Sequence, residues 1–148
     1  MAIRRALRRL LRIRDIEEEQ CRLALKSRLD ELNLLQHALM SCARRDQFGR
    51  RLVEISARSG EIPDRLAGLE EMRTAARHAM ALVPRIADAE RHVAVLREAF
   101  LAKRVERRQA ETLIQEWEAQ DAIAAGRRSQ QALDDWYRNR LHRKNPGD

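Results

Sequence analysis

Four kinds of residue in this chain could do chemistry: two cysteines, four histidines, several runs of carboxylates and five glycines. Zinc needs Cys or His ligands at short spacings. His37, His78, His92 and His142 are too scattered to chelate from one helix. Cys21 and Cys42 lie three heptads apart, roughly 30 Å along a helix, so they share a face and cannot bridge each other. They read as small residues buried in a helix–helix seam. Glu17–Glu18–Glu19 and Glu70–Glu71 crowd carboxylates. Acid–base work also needs a pocket that shifts a pKa, and these runs read as solvated helix faces. The glycines do not cluster into a phosphate-cradling loop. Trp117 reads as seam filling, whereas Trp136 beside Tyr137 fits a contact with a partner as well as it fits packing. No catalytic group, cofactor or metal is expected, and the chain reads as a non-enzyme.

The elements that carry these residues follow from composition. Of the 148 residues, 36% are charged and 3% aromatic, and Thr occurs only at Thr74 and Thr112. Sheets want β-branched and aromatic residues. Ala, Leu, Arg, Glu and Gln, which dominate here, are strong helix formers. So charged a chain cannot fill a thick core, but it can fill the seam between two long helices, which needs apolar residues only about twice per heptad. The expected fold is all-α: an elongated antiparallel two-helix coiled-coil hairpin with a short helical tip segment, in one domain over residues 1–148.

Periodicity sets the expected boundaries. Leu25, Leu29, Leu32, Leu35 or Gln36, Leu39 and Cys42 step by threes and fours along one stripe. Ile3, Leu7 and Leu10 make another, and so do Phe48, Leu52 and Ile55. The spacing predicts a first long helix over about 2–58. Ser59–Gly60 stops it, Gly60 acting as a left-handed cap, and a turn over about 59–63 follows. A short tip helix is expected over about 64–82. Pro84 then breaks or kinks the chain, lacking an N–H and clashing with the preceding turn. A second long helix is expected from about 84 to 142. Its stripe is Ile86, Ala89, Val93, Leu96 and Phe100, resumed by Ala110, Ile114 and Trp117. The charged stretch between them, Lys103 to Arg108, should weaken or wet the seam. Residues 145–148 read as a frayed tail. The long arms are near-equal in length, so the hairpin should bring the two chain ends together.

The net charge of +7 is unevenly spread. Residues 1–14 hold six arginines and no acid, residues 127–144 are also strongly basic, and the stretch between has a slight acidic excess. The opening MAIRRALRRLLRIR looks like an Arg-rich targeting peptide, yet it lacks Ser and runs into the helical pattern without a break. No run approaches the length of a membrane span. Three readings suit a basic-ended helical rod: an adaptor that inserts its charged end into another assembly, a basic coiled-coil nucleic-acid-binding protein, and membrane attachment through residues 1–16. Nucleic-acid binding would want a basic stripe along a whole helix or interleaved aromatics. The charge layout favours the adaptor.

The opening RRLLRIRDIEEEQCRLALKSRLDEL, the ending RRSQQALDDWYRNRLHR and the paired long helices resemble the FliJ/YscO family, the stalk proteins of flagellar and injectisome type III secretion. The Asp134-Asp135-Trp136 triplet resembles the injectisome, YscO-like branch more. This resemblance implies a cytoplasmic stalk, peripheral at the inner-membrane secretion apparatus. Its joined ends would enter the hexameric secretion ATPase, its tip would point toward the export gate, and some members also bind export chaperones. On that view Arg4, Arg5, Arg8, Arg9, Arg12, Trp136, Arg138, Arg140 and Arg143 would meet the ATPase. Leu66, Leu69 and Met72, chosen by periodicity on the tip helix, are the candidate export-gate contacts.

Overall fold

The structure, a computed structural model, describes residues 2–144. The expected frayed tail at 145–148 lies outside the described residues. Two helices account for nearly all of the description: α1 (Ala2–Ser59) and α2 (Ile62–Lys144). They pack antiparallel. Partners of α1 residues 4, 14, 45 and 49 on α2 are residues 118, 106, 71 and 68, falling as the first set rises. The fold is an all-α two-helix hairpin.

The reversal takes two residues. Gly60 has φ of 75°, and its N–H donates to the Ser56 carbonyl at 2.8 Å, the bond of a left-handed helix cap. Pro63 sits in the first turn of α2, where a missing N–H costs nothing, and Asp64 beside it suits the positive end of the helix dipole.

The separate tip helix at 64–82 and the break at Pro84 are not found: both segments belong to one helix, with Pro84 inside it. The reason is visible in burial. From Gly68 onward, Met72, Ala75, Ala79, Leu82, Ile86, Ala89, Val93, Leu96 and Phe100 are all buried or half-buried, in strict alternation of three and four residues. Pro84 is exposed, off that seam. It forfeits one hydrogen bond, while packing on either side of it holds the helix together.

Contacts divide the chain into two units, residues 18–103 and residues 1–17 with 104–148. In the first unit Leu32, Leu35, Ala89 and Val93 form the core, backed by Leu25, Leu29, Leu82 and Ile86. Burying each large aliphatic contributes about 1.5–3 kcal/mol. Toward the turn the seam residues shrink to Cys42, Gly49 and Ser56 on α1 and Gly68 and Ala75 on α2, all buried. A Cβ on Gly49 would lie 2.6 Å from the Gly68 carbonyl oxygen, and one on Gly68 would lie 2.6 Å from that of Gly49. Backbones therefore touch here. Of the expected stripe of Phe48, Leu52 and Ile55, Leu52 is half-buried against Gly68, whereas Phe48 and Ile55 are more than half exposed and the heptad through Cys42, Gly49 and Ser56 faces α2 in their place. Arg45 and Glu71 bridge the helices at 2.9 Å across one groove. The hydrogen bond from Arg45, aided by its charge, holds the Glu71 carboxyl below its ordinary range.

In the second unit Leu7, Leu10, Leu11, Ile114 and Trp117 are half-buried and Ala110 is buried. Ile3 is exposed. The expected wet stretch is a charged layer. Arg14 bonds Glu106 at 2.9 Å and Glu17 at 3.0 Å, and Arg107 meets Glu111 at 2.6 Å and Asp15 at 3.9 Å. Polar layers of this kind fix register at some cost in stability.

Candidate functional site

Among the described residues no three His, Cys, Asp or Glu side chains could hold a metal ion. None of the helices is long and apolar enough to cross a membrane, again among the described residues. Cys42 is buried in the seam and Cys21 half-buried, both as free thiols. The candidate residues lie on two surfaces: a basic region in the second unit and an exposed apolar stripe near the turn.

The basic region is not the single cluster that equal arms would give. Arg4 reaches Glu118 at 4.0 Å. Beyond Glu118, α2 continues for 26 more described residues, to Lys144. At 1.5 Å per residue this overhang is about 39 Å long. Every residue from Glu118 to Lys144 is exposed. The arms differ, 58 residues against 83, because the expected tip helix is the start of α2. Arg4, Arg5, Arg8, Arg9 and Arg12 are all exposed beside the paired part of α2. Arg138, Arg140 and Arg143 stand on the overhang, Arg138 about 30 Å along α2 from Glu118. On the overhang Arg140 lies over the Trp136 ring, 5.1 Å from its centroid, and Tyr137 meets that ring edge-on at 5.1 Å. Cation–π contact orients the guanidinium while leaving its donors to solvent. The result is a preset aromatic and cationic patch of a kind common at binding hot spots.

The three candidate residues near the turn separate. Leu66 is 62% exposed and Leu69 38%. Met72 instead turns into the seam, where its Cγ would lie 2.8 Å from a Cβ on Gly49. Sequence reasoning missed Ile62, Met80 and Val83, which are 69%, 76% and 57% exposed and continue the stripe of Leu66 and Leu69 at helical spacing. Stepping on from Leu69 by fours and threes passes Arg73 and Ala76 before it reaches Met80 and Val83, and those two positions interrupt the apolar signal that would have extended the stripe.

Compared with known proteins, the chain finds no match among curated proteins and none among solved structures. The family model of the flagellar FliJ protein matches residues 3–146, nearly the whole length. The chain therefore belongs to the FliJ family, whose members are non-enzymatic stalk and adaptor proteins of type III secretion.

Proposed function

We propose that this protein is the stalk of an injectisome-type, YscO-like secretion apparatus, working in the cytoplasm at the inner membrane. Its basic residues dock in the hexameric secretion ATPase, and the apolar residues near its turn engage the export gate. The observation that carries this reading is the overhang: about 39 Å of helix in which every described residue is exposed, bearing Trp136, Arg138, Arg140 and Arg143 in the open. Isolated helices are marginal in water, so such a segment calls for a partner of complementary charge. Arg4, Arg5, Arg8, Arg9 and Arg12 add a second set of cations. Charge of this kind guides encounter and register more than it sets affinity. An asymmetric helix pair in a six-fold ring cannot touch all six subunits alike, so it favours closure of some interfaces over others. Differential contact is what lets a ligand shift such an equilibrium, and here it would speed ATP hydrolysis. Leu66 and Leu69 are assigned to the gate, with export chaperones as further partners. The Asp134-Asp135-Trp136 triplet supports the YscO-like branch.

The test is ATP hydrolysis by a candidate secretion ATPase with and without the protein, beside a nucleic-acid-binding control. Salt-sensitive stimulation near one chain per hexamer, with no tight DNA or RNA binding, is the expected result. Absent stimulation together with tight nucleic-acid binding would replace the stalk reading by nucleic-acid binding.

A further inference from the structure

The overhang has an apolar face of its own that is out of step with the seam below it. Past Trp117 the three–four alternation of the seam would fall on Asp121, Ala124, Arg128, Gln131 and Asp135, which cannot continue it. A different stripe takes over: Ile123, Gly126, Gln130, Leu133 and Tyr137 step by threes and fours, with Trp136 at one edge and Leu141 at the other. Ile123, Leu133, Trp136, Tyr137 and Leu141 are each more than half exposed.

We propose that this face is a self-docking surface, through which two copies of the chain pair their overhangs antiparallel about a two-fold axis between Gln131 and Ala132. The stripe is complementary to itself in that register. Tyr137 falls opposite Gly126 of the second copy, a large ring against a position whose Cβ would meet nothing within 4 Å. Ile123 falls opposite Arg140 and Leu141, and Leu133 opposite Gln130. Arg127 and Asp134 each follow a stripe residue by one position, so they lie on the same flank, where antiparallel coiled coils form their interhelical ion pairs. Each Arg127 then faces Asp134 of the other copy, twice per dimer. The first helix of a second copy is a poorer occupant, because residues 2–14 bring six arginines and no acid to a segment that is itself basic. About a dozen residues a side is below the 20–30 of a standard interface, so the dimer is weak and concentration-dependent. On the stalk reading it would withhold the Trp136 patch from the ATPase until the copies separate, but the pairing itself is measured without any ATPase.

The experiment is sedimentation equilibrium of the full chain over a micromolar concentration series, with helicity followed by circular dichroism. Wild type should pass from monomer to dimer. Arg127→Asp alone, or Asp134→Arg alone, turns both pairs into repulsions and should weaken the dimer about tenfold or more at unchanged helicity. Combining the two restores opposite charges and should restore the dimer. A wild-type chain that stays monomeric throughout would overturn the proposal and leave the stripe to another protein. Single reversals that dimerise like wild type, or a combined variant that stays monomeric, would equally overturn it.

Discussion

At Gly49 and Gly68 an added methyl group has nowhere to go. Each ideal Cβ lies 2.6 Å from the opposing backbone oxygen, and a backbone cannot swing aside as a side chain can. Gly→Ala within a helix ordinarily stabilises by up to about 1 kcal/mol, whereas overpacking a tight contact costs about 1–3 kcal/mol. Clash should win. Gly49→Ala and Gly68→Ala are each expected to lower stability by about 1–2 kcal/mol, read as a lower urea midpoint; an unchanged or raised midpoint would mean the helices part easily there. This contact also marks a limit of reading by side-chain size. Phe48 and Ile55 attracted the assignment because they are large, yet they are exposed. Position told more than bulk: Leu35, Cys42, Gly49 and Ser56 repeat every seven residues, and only the first two look like core residues. For Leu25, Leu29, Leu32, Ala89 and Val93, where size and spacing agree, the seam was legible.

For the helices themselves, the governing fact is that packing overrides a local breaker. Pro84 lacks an N–H and sits in the interior of α2, a placement that costs about 3 kcal/mol relative to Ala. Part of that is offset because proline also restricts the unfolded chain, by about 0.4–1 kcal/mol. Pro84→Ala is therefore expected to raise stability by about 2 kcal/mol, seen as a higher thermal midpoint with little change in helicity. A fall in the midpoint would show that the proline relieves strain the seam imposes. Reading Pro84 as a break or a kink is locally sound. What it lacked was the tertiary term, since Leu82 and Ile86 flank the proline on the buried face and hold both sides of it against the Leu32–Leu35 region of α1. The glycine cap needed no tertiary knowledge: Ser59–Gly60 followed by Pro63 announces a stop and a restart in four residues, and Gly60 at φ of 75° is where the chain turns. That is why the first boundary was legible and the next one was not.

Taken as a whole, the molecule carries its terminal arginines in two sets with different surroundings, a difference the sequence could not reveal while the arms counted as equal. Arg5, Arg8 and Arg9 flank the paired part of α2; Arg138, Arg140 and Arg143 ride on the stretch of α2 whose described residues are all exposed. If both sets meet the secretion ATPase, they should fail differently. The overhang is free to approach first, and its charges act at a distance before contact, over the 8–10 Å that salt leaves unscreened. Reversing Arg138, Arg140 and Arg143 to Glu should therefore slow association and flatten its salt dependence, while stimulation returns at high protein concentration. Reversing Arg5, Arg8 and Arg9 to Glu should abolish stimulation even at saturation, because on the stalk reading they belong to the helix pair that presses on the ring. Association rates measured across a salt series, with ATP turnover at saturating stalk and circular dichroism as the folding control, separate the two. Equal behaviour of both variants would mean that one contact zone spans the two sets; stimulation surviving the amino-terminal reversal would remove that set from the docking surface and leave the overhang alone to do the work.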